Sequence, residues 1–167
     1  MTGHGMWPVI PSQAEATCRE GGAIAFALPD PATEFGARVA RRLHSEPLAW
    51  LTTVDGAGTP QPAPVWFLWD DASNSALIYS HGEAKRLDHL RANPRVALNL
   101  DGDGTGGDIV VLTGEAVVAP DEPSADRNPA YLDKYGTRIR EGWETPQNFA
   151  SIYSVPLRFR PRRVRGH

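Results

Sequence analysis

LAWLTTVDGAGTPQPAPVWFLW, residues 48–69, consists of two apolar runs joined by a turn. Leu48 to Val54 is apolar and threonine-rich, Asp55-Gly56-Ala57-Gly58 is turn chemistry, and Pro60 to Trp69 resumes the apolar pattern. This predicts a β-hairpin. Pro60, Pro62 and Pro64 recur at every second residue, so within one strand their missing N–H groups face the same lateral edge. That edge cannot pair with a further strand. Two uses remain open: an edge protected against aggregation, or a gap that admits a flat ring beside the backbone, with Trp66 and Trp69 as its walls.

Beyond this hairpin, Asp70 to Ser75 is a polar turn and Ala76 to Ser80 a short strand. Glu83 to Ala92 is a short helix with Leu87 and Leu90 on one face, stopped by Asn93-Pro94. Arg95 to Leu100, Asp108 to Val118 and Val155 to Val164 read as strands. Pro129 to Ile139 and Pro146 to Tyr153 read as helices, the second capped by Thr145. Before the hairpin, Asp30-Pro31 has the form of an N-cap and first helical position, opening a helix through Phe35, Val39 and Leu43 that ends near Glu46-Pro47. Residues 1–29 show no sustained apolar period and are expected to form a loose extension, which leaves 30–167 as one domain. Around six strands joined mainly by tight turns predict a mainly β fold with short helices (α+β). Its antiparallel sheet closes as a barrel to protect its edges.

The segment Tyr79-Ser80-His81-Gly82-Glu83-Ala84-Lys85-Arg86 runs from a strand through a polar loop to two cations at a helix start. Unsatisfied N–H groups, a hydroxyl and two positive charges suit a phosphate; a solvated helix face is the alternative. Gly102, Gly104 and Gly107 spell G-x-G-x-x-G after a strand, but Ile109-Val110-Val111-Leu112 follows where a dinucleotide site needs a helix. A hairpin loop is predicted there. Asp101, Asp103 and Thr105 have calcium-loop spacing, yet Leu112 stands at the twelfth position, and His81, Asp88 and His89 match no zinc pattern. No metal is expected.

The composition, 41% hydrophobic and 22% charged with 16 Gly and 15 Pro in 167 residues, is that of a globular domain with many short elements. With Cys18 as the single cysteine, neither an intrachain disulfide nor a thiolate cluster can form, so redox chemistry needs a bound cofactor. A net charge of −3 argues against general nucleic-acid binding. Arg158, Arg160, Arg162, Arg163 and Arg165 are locally basic; the alternation of the first three predicts a solvated face, with a polyanionic cofactor tail as the second use. No apolar run approaches the ~20 residues that span a bilayer, and the start lacks a signal-peptide pattern. A cytoplasmic protein with no membrane partner is expected.

Residues 48–69, followed by LIYSHGEAKRLDHLRANPRVAL at 77–98 and GDIVVLTGEA at 107–116, resemble the pyridoxamine 5'-phosphate oxidase-like superfamily. The likeness is greatest to its actinobacterial deazaflavin-dependent branch and covers about Phe35 to Val164. It implies an antiparallel split β-barrel of the FMN-binding type, in a homodimer that holds its cofactor at the interface. By similarity, Tyr79, Ser80, Lys85 and Arg86 hold the phosphate side, and Pro64, Val65 and Trp66 lie along the tricyclic ring. Pro62 and Phe67 stand where the flavin-mononucleotide oxidases carry Arg and Lys, so the resemblance implies coenzyme F420 chemistry in place of pyridoxamine phosphate oxidation. The implied activity is an F420-dependent oxidoreductase passing a hydride from reduced cofactor to a small conjugated organic acceptor. The alternatives are an FMN-dependent oxidoreductase of the same fold and a non-catalytic flavin-, deazaflavin- or haem-binding protein. No catalytic residue is assigned; Tyr79 or a bound water is the expected proton source.

Overall fold

The computed structural model describes residues 26–166. Its first helix, α1, spans Glu34–Ser45 and is capped by Thr33, whose side-chain oxygen accepts from the Gly36 N–H at 3.0 Å. Asp30 does not cap it. The Asp30 carboxylate accepts from the Ala32 N–H at 2.8 Å and its carbonyl from the Thr33 N–H at 3.0 Å, so Asp30-Pro31 forms the turn that delivers the chain to its cap. Val39 and Leu43 are fully buried, as their four-residue spacing requires.

Seven strands form one antiparallel sheet: β1 Ala49–Val54, β2 Pro60–Val65, β3 Leu68–Asp70, β4 Ser75–Ser80, β5 Arg95–Leu100, β6 Val110–Val118 and β7 Val155–Gly166. Their order is β2-β1-β5-β6-β7-β4-β3. The expected hairpin is β1 and β2, but the run 60–69 breaks at Trp66 and Phe67, which adds a strand to the six expected. β2 stays with β1, whereas β3 pairs with β4 at the opposite edge. Two intervening residues span at most about 11 Å between Val65 and Leu68, so the two edges must lie close and the sheet must curl. This makes the half-barrel. The β1–β2 ladder runs unbroken from Ala49↔Val65 to Val54↔Pro60, which leaves the three proline nitrogens on the open edge.

Inside the curl, Leu51, Phe67, Ile78, Leu98, Leu112, Leu157 and Phe159 form the main core with Val39 and Leu43 of α1 and Leu87 and Leu90 of α2. Phe26 and Leu28 pack against it too, so the packed chain includes residues of the expected extension; positions 1–25, with Cys18, lie outside the described residues. A bulge between Thr113 and Gly114 bends β6 against β7. A Cβ at Gly114 would stand 2.1 Å from the Arg160 carbonyl oxygen, so this close approach requires glycine.

β4 is buried on both faces. Its outward Leu77 and Tyr79 support a second core with Tyr131, Tyr135 and Ile139 of α3 (Pro129–Trp143) and Phe149 of α4 (Pro146–Ile152). Helix α3 runs four residues past the expected Ile139, and Thr145 caps α4 as expected, accepting from the Asn148 N–H at 3.1 Å. α2 spans Arg86–Ala92 and starts three residues later than expected, because residues 81–84 are used in a turn closed by Ala84 N–H to the His81 carbonyl. The glycine-rich loop leads directly into β6, and its bend is held by Asp103, which accepts from the Thr105 and Gly107 N–H groups at 2.8 and 3.0 Å. No helix among the described residues is long and apolar enough to cross a membrane.

Candidate functional site

Where the β2–β3 corner, the end of β4, the start of α2 and the pair α3–α4 converge, they enclose a cleft of about 170 Å³. Pro64, Val65, Trp66, Tyr79, Ser80 and Arg86 all line it, so six of the seven candidate residues come together. Lys85 does not. It is exposed at the N-cap position of α2, and Arg86 at the first helical position turns toward the cleft instead. Successive helical residues point about 100° apart, so adjacent cations cannot share one direction.

Arg86 is half-buried, and burial holds its guanidinium below the usual arginine range. It forms no ion pair or hydrogen bond with a described residue; against the effect of burial, only the Tyr153 phenol acts to favour its charged form. In the same cleft, the buried Ser80 hydroxyl makes only a long 3.3 Å bond to the His81 carbonyl. His81 stands exposed at the rim with its Nδ1 accepting from the Glu83 N–H at 3.1 Å, which places the proton of the neutral ring on Nε2.

The remaining walls are aromatic. Trp66 leaves the sheet at the corner and stacks on Tyr135, at 4.8 Å and 2°, and on Phe149, at 5.7 Å and 17°. Trp143 meets Trp66, Phe149 and Tyr153 edge-on, and Phe149 stacks on Tyr153 at 4.6 Å. These contacts anchor α3 and α4 to the sheet.

Tyr79 has a structural task. Its hydroxyl donates to the Pro123 carbonyl at 2.6 Å and accepts from Asn128 Nδ2 at 3.2 Å, while burial pushes the phenol upward. Asn128 also caps α3, accepting from the Tyr131 N–H at 3.2 Å, so Tyr79 ties that helix start to β4. Tyr135 is held similarly: it takes the Phe67 N–H at 3.0 Å and lies within donating distance of the Phe67 and Pro47 carbonyls. Tyr131 differs. It lines the cleft, is fully buried and has no partner for its hydroxyl among the described residues.

His81, Tyr131, Trp143, Phe149 and Tyr153 are therefore site residues that the sequence reading left out. Their only sequence signal was aromatic spacing of four, at Tyr131/Tyr135 and Phe149/Tyr153, which ordinary core packing explains as well.

A broader depression of about 530 Å³ lies on the outer face of the sheet, bordered by Thr52, Val54, Pro60, Ala97 and Thr113. It is shallow, and its Glu115 is paired with Arg162 at 3.1 Å. Size notwithstanding, it gathers no unpaired buried polar group, so the smaller cleft is the better chemical site. Of the C-terminal arginines, Arg158 is bound to Glu122 and lies 3.7 Å from Asp70, whereas Arg160, Arg162, Arg163 and Arg165 are exposed.

Comparison with known proteins agrees with this architecture. A conserved hypothetical protein from Mycobacterium tuberculosis superposes with a TM-score of 0.59 at 22% identity, covering 88% of each chain. An F420 reductase superposes at 0.57 and 22% identity, over 74% of this chain and 93% of its own. A haem-storage protein from Vibrio cholerae does so at 0.55 and 14% identity, over 79% and 94%. These are likenesses of fold. No curated protein matches the sequence. The family model of pyridoxamine 5'-phosphate oxidase matches residues 35–167, which takes in every strand and helix described above except the first residue of α1. The chain belongs to the pyridoxamine 5'-phosphate oxidase family.

Proposed function

We propose that this protein is an F420-dependent oxidoreductase that reduces a small conjugated organic acceptor, working as a cytoplasmic homodimer. Arg86 carries the reading: a half-buried guanidinium without an anionic partner among the described residues, beside the Ser80 hydroxyl, at one end of an aromatic cleft. A desolvated cation is costly unless an anion pairs with it, and a phosphate on a planar ring system suits both the cationic end and the aromatic walls. The residues thus fit a phosphate-bearing flavin or deazaflavin. Arg86 and Ser80 would hold the phosphate, with Lys85 exposed outside the cleft, while Pro64, Val65 and Trp66 receive the ring.

Reduced F420, when bound, supplies the hydride. The protein's own contribution is position and exclusion: Trp143, Phe149 and Tyr153 keep water from the cleft, and the acceptor is confined against the cofactor. Tyr79 keeps its proton, donating it in a hydrogen bond to the Pro123 carbonyl, so solvent at the cleft mouth is the proton source.

The cleft is smaller than the ~300–1,000 Å³ of ordinary ligand sites. A second subunit laid against the outer sheet face would complete it. That face carries Trp50, 41% exposed, opposite Pro64, and Thr52 opposite Pro62, so it is continuous with the cleft edge.

Parallel titration of the purified protein with F420 and FMN tests the cofactor. Preferential F420 binding supports the proposal; binding of FMN alone makes the FMN-dependent oxidoreductase the better account. Tight binding without oxidation of the reduced cofactor by any acceptor would favour a carrier. Sedimentation tests the dimer, and a monomer that binds cofactor at full strength overturns the shared site.

A further inference from the structure

Lys134 of α3 reaches across to the β2–β3 corner, where the Phe67 carbonyl oxygen accepts from its Nζ at 3.0 Å. The side chain is half-buried, with Nζ 4.4 Å from the centre of the Phe67 ring and 5.4 Å from that of Tyr135. It forms no ion pair with a described residue. Glu46 acts on it only at longer range, since that carboxylate is held by Arg42 Nε at 2.8 Å. The Tyr135 hydroxyl stands 2.7 Å from the same Phe67 oxygen, so that oxygen has a second donor when the amine turns away.

An ammonium with one neutral acceptor and no counter-ion, half out of water, sheds its proton more readily than a solvated one. The ring faces attract the cation, yet burial prevails and lowers the ammonium to about 8 from 10.5. About a quarter of such an amine is neutral at pH 7.5, against about one in a thousand for an ordinary lysine. Arg138 lies one turn further along α3 on the same side, and its positive charge also acts on the amine. An exposed guanidinium there suits an incoming phosphate.

We propose that Lys134 is a modification site, its ε-amine taking an acyl group from a small acyl phosphate whose phosphate is received by Arg138. The nitrogen lone pair attacks the acyl carbon, and a C–N bond forms. The C–O bond to phosphate breaks, inorganic phosphate leaves with that electron pair, and the displaced amine proton passes to solvent. Nothing is oxidised or reduced. The product amide is neutral, which ends the cost of a half-buried charge, and it keeps one N–H for the Phe67 carbonyl. Because Phe67 follows Trp66, the modified side chain sits at the corner that shapes one wall of the cleft. This chemistry needs no cofactor in the cleft.

Lys85, exposed at the start of α2, is the only other lysine in the chain and serves as the internal reference. Native protein is treated with acetyl phosphate at pH 7.5, and the rate at each lysine is followed by peptide mass spectrometry. Lys134 should be acetylated about tenfold faster than Lys85, and its rate should level off above about pH 9, where its amine is nearly all neutral. In guanidinium chloride, where the fold is gone, the two rates should agree within about twofold. Arg138→Gln should slow acetylation by acetyl phosphate more than acetylation by the uncharged N-acetoxysuccinimide. Lys85 reacting as fast as Lys134 in the native protein, or a Lys134 advantage that survives denaturant, would overturn the assignment. Equal slowing with both reagents would overturn acyl phosphate as the donor.

Discussion

Replacing Arg86 by methionine isolates the cation on which the cofactor assignment depends. Methionine keeps an unbranched apolar stem in the half-buried position and removes only the guanidinium. A charge-assisted hydrogen bond contributes about 1.5–3 kcal/mol, so cofactor affinity should fall roughly 10- to 150-fold. The unliganded protein should lose no stability, because Arg86 makes no hydrogen bond or ion pair with a described residue and its burial already disfavours the charge. Lys85→Met is the internal control: it is exposed, off the cleft, and should change affinity by less than about threefold, in line with a screened surface charge. Fluorescence titration with F420 and FMN at two salt concentrations, with circular dichroism on each variant, measures both. If Arg86→Met binds as wild type does, or Lys85→Met is the more damaging change, the half-buried arginine is not the phosphate partner and the reasoning fails.

Gly114→Ala should lower stability by about 1–3 kcal/mol, since the new Cβ meets the Arg160 carbonyl at 2.1 Å; urea unfolding reads this, and an unchanged midpoint would mean that β6 and β7 separate easily. Lys134 donates to the Phe67 carbonyl at 3.0 Å, and burial lowers its ammonium to about 8 from 10.5. The unfolded chain therefore binds more protons across pH 8–10.5, and stability should gain a rising component there that Lys134→Met lacks. Unfolding free energies of both proteins from pH 7 to 10.5 check the sign. Chains starting at residue 26 and at residue 30 should differ in melting temperature, the shorter being less stable, because Phe26 and Leu28 pack on the main core. Equal melting would mean that those contacts contribute little. Tyr135→Phe should cost about 1–3 kcal/mol by thermal melting, because it leaves the buried Phe67 N–H without its acceptor.

Much of the fold was legible because its signals are local. The turn at Asp55–Gly58, the Thr145 cap and the stop at Asn93-Pro94 each follow from side-chain and backbone geometry within a few residues. The helix starts were less so. Asp30 and Thr33 are both good caps by type, and only the Gly36 N–H at 3.0 Å from Thr33 decides between them. The break at Trp66 and Phe67 was hidden altogether, since a continuous apolar run has no mark of a corner. Phe67 enters the main core while Trp66 turns out to the helices, so neighbouring apolar side chains serve different cores.

By itself, then, the sequence determined the proline edge and the strand–loop–helix that presents Ser80 and Arg86, because hydrogen-bonding capacity and backbone restriction travel with residue type. Only the tertiary structure decided that β2 and β3 lie on opposite edges of a curled sheet, and that Arg86 rather than Lys85 faces the cleft. It also decided that Tyr131, Trp143, Phe149 and Tyr153 close the site. The reason is that these side chains, distant along the chain, meet only when the sheet has curled and the second core has packed; whether a tyrosine hydroxyl finds a partner depends on that packing and not on its neighbours in sequence.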